Sequence, residues 1–121
     1  MISSYSKYRA KRTIVDGISF ASKAEAKQYC DLNVLYRGGH IRGFVMQPRF
    51  RLGCAENVYV ADFLVIQNDS TCYVIDVKGM ETQKFKRDVK LWKRYGPCEL
   101  RIVKNGKLVE CVRGEGVCAE K

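Results

Sequence analysis

The sequence predicts one α/β or α+β domain in which a mixed β-sheet is covered by helices on both faces. Three observations predict it. The runs VYVADFLVI (58–66) and TCYVIDVK (71–78) are rich in β-branched and aromatic residues, yet neither alternates apolar with polar. Such strands are buried on both sides. Two other stretches, 22–37 and 83–95, are bounded by helix start and stop signals. The length of 121 residues, 46% of them hydrophobic, suits a single core and excludes a disordered chain.

The elements follow in order. RTIVDGISF (12–20) is two short apolar runs around Asp16-Gly17, a dipeptide that favours a tight hairpin turn. Ser22 and Glu25 have the spacing of a capping box, good helix formers continue to about Arg37, and Gly38-Gly39 stops the helix. His40, the one histidine, follows in that turn and reads as a loop residue. FVMQPRFRL (44–52) reads as a strand whose Pro48 sits at an edge or bulge. The two apolar runs above are the next strands, joined by the turn residues 67–70. A second helix runs from Gln83 to Tyr95 and ends at Gly96-Pro97. CELRIVKNGKLVEC (98–111) closes as strand, Asn-Gly turn and strand. The order is hairpin, helix, three strands, helix, two strands.

Lysine and arginine number 22 against 13 acids, a net charge of +9, which favours a polyanionic partner such as nucleic acid. No apolar run is long enough to span a bilayer. The N-terminal MISSYSKYRAKR lacks the apolar stretch of a signal peptide, so a cytoplasmic protein is expected. The six cysteines are scattered without a CxxC pair, mostly inside apolar runs, and read as small buried hydrophobes instead of disulfides or zinc ligands.

The acids carry the chemistry. In VIDVKG (74–79), Asp76 and Lys78 share one face of a strand while Val77 points the other way. If the preceding turn centres on Asp69, Asp62 lies directly across from Asp76 on that face; a slip of one residue would put it on the other. Facing carboxylates with Cβ atoms about 5 Å apart repel. The neighbours Val60, Leu64, Cys72 and Val74 offer no relief, so a cation is required, either Lys78 or a bound metal. Mg²⁺ suits the pair, since it takes one or two carboxylates, waters and substrate phosphate. Glu25 is a third acid. It shares a helical stripe with Tyr29, Leu32 and Tyr36 that points toward the sheet, while Lys23, Lys27 and Asp31 face away. Closing the capping box with Ser22 is a second role for it, compatible with the first. On the second helix Phe85, Val89 and Trp92 form the core face. Lys84, Lys86, Arg87, Lys90, Lys93 and Arg94 fill the rest, with Asp88 the only acid. Lys7, Arg9, Lys11 and Arg12 make a second basic cluster. Contacts of this kind to phosphates give affinity but read no sequence.

Glu25, then ADF with Asp62, then IDVKG with Asp76 and Lys78, then a basic helix, resembles the PD-(D/E)XK nuclease superfamily. The series FASKAEA, QPRF, ADF, DVKG is most similar to small phage- or prophage-encoded members grouped near Holliday-junction resolvases. Ala61 stands where that family usually has proline, and the likeness covers about residues 5–104. It implies a restriction-endonuclease-like core of order α-β-β-β-α-β. An N-terminal arm and hairpin (1–20) precede the catalytic core (21–104), and a C-terminal strand and tail (105–121) follow it. It implies Mg²⁺-dependent cleavage of DNA, with Mn²⁺ able to substitute. Asp62, Asp76 and the Val77 carbonyl would hold one ion near the scissile phosphate. Glu25 would bind a second ion or its water, and Lys78 would orient the attacking water. A structure-selective endonuclease for branched DNA is the leading expectation. It would act as a homodimer, since symmetric cutting needs two sites, and in the cytoplasm of a bacterial host if phage-encoded. A duplex or nicking nuclease, or a non-catalytic DNA-binding module, are the alternatives.

Overall fold

The computed structural model describes residues 12–53 and 58–115. Its first hairpin pairs β1 (Thr13–Val15) with β2 (Ile18–Phe20), Val15 opposite Ile18. Asp16 and Gly17 sit at φ 53° and 77°, the type I′ geometry whose twist matches that of the strands. α1 (Lys23–Arg37) begins at Ser22, whose hydroxyl accepts the Glu25 N–H at 3.1 Å. Gly38 ends it, and Gly39 follows in the left-handed region. The helix buries Ala26, Tyr29 and Leu32. Tyr36, expected on the same stripe, is instead 51% exposed. The core beneath α1 ends at Leu32 and Ile41, so the last turn of the helix lies at the surface.

The stretches 44–52 and 58–66, each expected as one strand, are each two. β3 (Gly43–Met46) pairs with β6 (Phe63–Ile66), and β4 (Arg49–Arg51) pairs with β5 (Val58–Val60). The register does not slip between the halves: Met46 faces Phe63 on one side of the break and Arg49 faces Val60 on the other. Between them the ribbon bends. Pro48 has no N–H to give, and Gln47 takes φ 56°. Hydrogen bonds from Gln47 N–H to the Asp62 carbonyl (2.9 Å) and from Ala61 N–H to the Pro48 carbonyl (3.1 Å) hold the bend closed. The inner half stays in the main sheet and the outer half leaves it.

β7 (Cys72–Val77) lies antiparallel to β6 with Ile66 opposite Cys72 and Phe63 opposite Ile75. This is the register of a turn centred on Asp69. α2 (Gln83–Tyr95), capped by Thr82, carries the chain across to β8 (Glu99–Lys104), which runs parallel to β7. Asn105 and Gly106, at φ 52° and 77°, turn it into β9 (Lys107–Arg113). The sheet order is β3-β6-β7-β8-β9, mixed as expected. Side-chain alternation divides the interior in two. Phe63, Val65, Tyr73, Ile75 and Val77 pack with Tyr29 and Leu32 under α1. Val74, Leu100 and Ile102 pack with Phe85 and Trp92 under α2. The central strand is thus covered on both faces.

The cysteines depart from expectation. Among the described residues Cys30 and Cys111 are exposed and Cys72 and Cys98 half-buried, all four free. Cys30 lies on the outer side of α1, next to buried Tyr29, and Cys111 lies on the edge strand β9. No described helix is long and apolar enough to cross a membrane.

Candidate functional site

The bend places Asp62. The β6–β7 ladder stops at Phe63 and Ile75, and one residue further the Asp62 side chain takes over: its Oδ2 accepts the Val77 N–H at 2.7 Å. Even-numbered residues of β7 face α2, so Asp76 projects into that half of the core and is 2% exposed. A buried carboxylate without partners would be costly. Asp76 has two: the Tyr59 hydroxyl donates to its Oδ2, and Lys78 Nζ lies 3.3 Å from its Oδ1. The same ammonium sits 4.3 Å from the centre of the Phe85 ring, a cation–π contact that holds it in place.

The paired register ends at Phe63 and Ile75, one residue short of both acids, yet Asp62 and Asp76 lie close enough for the charge of Asp76 to act on Asp62. Burial, then the charge of Asp76, pushes the Asp62 carboxyl up to about 8, although the Val77 N–H pulls the other way. Glu25 also raises it. Glu25 is itself shifted upward, by burial first and by Asp76 after it, opposed by the Ala21 N–H and by the charges of Lys78 and Arg12. Its expected position needs correction. The buried stripe of α1 runs through Ala26, Tyr29 and Leu32, so Glu25 stands at the margin of that stripe, half-buried, on the helix that covers the opposite face from Asp76. It comes within electrostatic reach of the pair because the sheet is open at the bend. There a cleft of about 270 Å³ is lined by Glu25, Asp62, Arg12, Gln47, Met46 and Phe20, among others. Ser22 accepts the Glu25 N–H, the Ser22 half of the expected capping box, while Glu25 lines the cleft. Among the described residues no three acidic, histidine or cysteine side chains close on one point as a complete ligand set.

Two residues of the cluster carried no functional assignment from the sequence. Tyr59 is the donor to Asp76, and only the bend brings β5 over that residue. Asp88 is 3% exposed, its Oδ2 held by Lys84 Nζ at 2.9 Å and its Oδ1 without a hydrogen-bond partner among the described residues. Its signal was present, since Asp88 lies between Phe85 and Trp92 on the buried stripe and four residues after Lys84. Lys84, expected to contact DNA, pairs with Asp88 while its side chain stays 55% exposed. A second cavity of about 320 Å³ is lined by Tyr59, Lys78, Thr82, Lys84, Phe85 and Asp88, with Val58 and Val60. Lys86, Arg87, Lys90, Lys93 and Arg94 are exposed along α2. Arg12, also exposed, donates its Nε–H to Ser19 Oγ at 3.0 Å on the rim of the first cleft. Lys7, Arg9 and Lys11 lie outside the described residues.

The pattern of a family described as Protein of unknown function (DUF1064) matches residues 5–110. The chain belongs to the DUF1064 family. The matched span holds every residue of the cluster, the bend and α2. No curated protein and no solved structure matches this DUF1064 chain.

The shared site makes stability depend on pH. The Asp62 carboxyl titrates at about 8 in the folded chain against an ordinary 3.8. Between these values the folded state holds a proton that the unfolded state has lost, so this contribution is greatest at low pH and disappears as pH rises through about 8. In chelator, the thermal midpoint of this DUF1064 protein should fall from about pH 5 to about pH 8, and Asp62→Asn should flatten the slope. Thermal unfolding followed by circular dichroism across that range checks both.

Proposed function

We propose that the protein is a metal-dependent DNA endonuclease that hydrolyses phosphodiester bonds, with a preference for branched DNA such as four-way junctions. The observation that carries this reading is the adjacency of Asp62 and Asp76 beside Lys78, at the open end of the sheet and next to a basic helix. The donor set fits a hard divalent ion. The charge of Asp76 raises the proton affinity of Asp62, and Mg²⁺ needs only one or two carboxylates because it keeps several waters. A complete three-acid cage is therefore not required.

Asp62 and Asp76 would hold the ion directly, with Mn²⁺ as a substitute for Mg²⁺. In an extended residue the N–H and C=O point to the same side, and the Val77 N–H points to Asp62. The Val77 carbonyl is thus directed to the same place and would complete the set. Glu25 would hold a second ion or its water from the cleft side. A bound ion would neutralise charge on the phosphate and make water easier to deprotonate. The chain's own part is positioning. Lys78, fixed between Asp76 and the Phe85 ring, orients the attacking water and offsets negative charge as it develops. Arg12 and the exposed row on α2 grip the flanking phosphates, together with Lys7, Arg9 and Lys11. Paired cuts in a four-way junction need two such sites, hence a homodimer, and a bacterial cytoplasm suits such a substrate.

Incubation with Mg²⁺ and a four-way junction, a linear duplex or a single strand tests the reading. The junction should be cut fastest. Cutting of the duplex at an equal rate removes the preference for branches, and cutting of none, with tight binding, leaves a DNA-binding module. Arg87→Ala and Lys90→Ala should each weaken binding to all sequences alike and lower the salt slope of the affinity by about 1, read by filter binding over a salt series.

A further inference from the structure

Tyr59 joins the two halves of the site, and its surroundings leave it little freedom. It is 3% exposed. Its ring lies 6.4 Å from that of Phe50 at 30° and 5.8 Å from that of Trp92 at 77°. Its hydroxyl ends on Asp76 Oδ2. A phenol hydroxyl against a carboxylate oxygen acts as the donor of the pair. A ring wedged in this way gives its hydrogen bond a fixed direction. Lys78 meets Oδ1 as a compact point charge with three equivalent donors, which attracts the oxygen without setting a direction.

We propose that Tyr59 is a positioning residue that sets the rotation of the Asp76 carboxylate, so that the Asp62–Asp76 pair meets a divalent cation in one arrangement without first reorganising. The inference rests on the metal-site reading above and deepens it. Outer partners of ligating carboxylates have this effect elsewhere, and their loss weakens metal binding by about 10–100-fold. The residue comes from β5, beyond the bend, so the bent ribbon contributes Asp62 at its hinge and the orienting hydroxyl from its outer arm.

The test is calorimetric titration of Mn²⁺ without DNA into the full chain, Tyr59→Phe and Asp76→Asn. Tyr59→Phe keeps the ring contacts and removes only the donor. Trimethylamine oxide, added to all three proteins, offsets any loss of stability. The expected result is binding to the full chain, none to Asp76→Asn, and binding to Tyr59→Phe weakened about 10–100-fold. With saturating metal, cleavage by Tyr59→Phe should return to within about threefold of the full chain, so the defect appears in the metal requirement and not in the maximal rate. A merely structural tyrosine would lower the unfolding midpoint and leave Mn²⁺ affinity of the folded protein unchanged. Affinity of Tyr59→Phe within twofold of the full chain overturns the role of Tyr59 and leaves the metal site standing. No Mn²⁺ binding by the full chain overturns both.

Discussion

Asp76→Asn is expected to abolish cleavage, by at least about a hundredfold, while DNA binding is kept or improved. Asparagine fills the same space and still offers Tyr59 an oxygen; its NH₂ then meets Lys78, whose ammonium is part exposed and can turn to water, so the fold survives. What it cannot do is carry charge. Asp62 would lose the neighbour that helps push its carboxyl up to about 8, and a cation would find a single carboxylate in place of the pair. Removing a negative charge close to the path of a phosphate backbone also lowers repulsion, which is why affinity should not fall. Cleavage and gel-shift assays on the same preparation read both halves. Loss of activity together with loss of the circular-dichroism spectrum would make Asp76 a structural residue. Loss of activity together with loss of binding would mean that it organises the DNA surface. Retained activity would end the nuclease reading of this carboxylate pair.

The elements that could be read in the sequence are those whose cause is local. Asp16-Gly17 and Asn105-Gly106 specify type I′ turns by themselves, Ser22 and Thr82 cap their helices within three residues, and Gly38 and Gly96 end them. The register of β6 on β7, from Phe63–Ile75 to Ile66–Cys72, was also legible, because it is that of a turn centred on Asp69; Asp62 lies one residue beyond it, at the bend. What could not be read depends on two segments at once. Pro48 announced an interruption, but the bend needs Gln47–Pro48 and Ala61–Asp62 to deform together in register. Everything downstream of it was hidden in the same way: the departure of β4 and β5, the arrival of Tyr59 over Asp76, and the open cleft where Glu25 reaches the pair from the other face. Asp88 is a different case. It was read with the lysines and arginines of the solvated side, although its spacing from Phe85 and Trp92 puts it on the buried stripe.

Trp92→Ala is expected to destabilise the fold by about 3–5 kcal/mol, the largest loss from any single truncation proposed here. Typical domains have only about 5–15 kcal/mol in total, so the thermal midpoint should drop by at least about 10 °C. Trp92 is 0% exposed, donates its Nε1–H to the Cys98 carbonyl at 2.7 Å, and meets Phe50 edge-on at 4.9 Å. The space it leaves cannot be refilled locally. Gly96 lies so close to the indole that a Cβ there would come within 2.5 Å of it, so the wall on that side has no side chain to swing inward. Trp92→Phe separates packing from hydrogen bonding: it keeps a ring but leaves the Cys98 carbonyl unpaired, at a cost of about 1–3 kcal/mol. Trp92 is the only tryptophan, so its fluorescence cannot follow its own removal and urea unfolding must be read by far-ultraviolet circular dichroism. The site should register the change as well. Trp92 is one of the two rings that hold Tyr59, so Trp92→Ala should weaken Mn²⁺ binding even at temperatures where the variant is fully folded. A variant that loses stability and keeps full metal affinity would show that the Tyr59 ring is held by Phe50 alone.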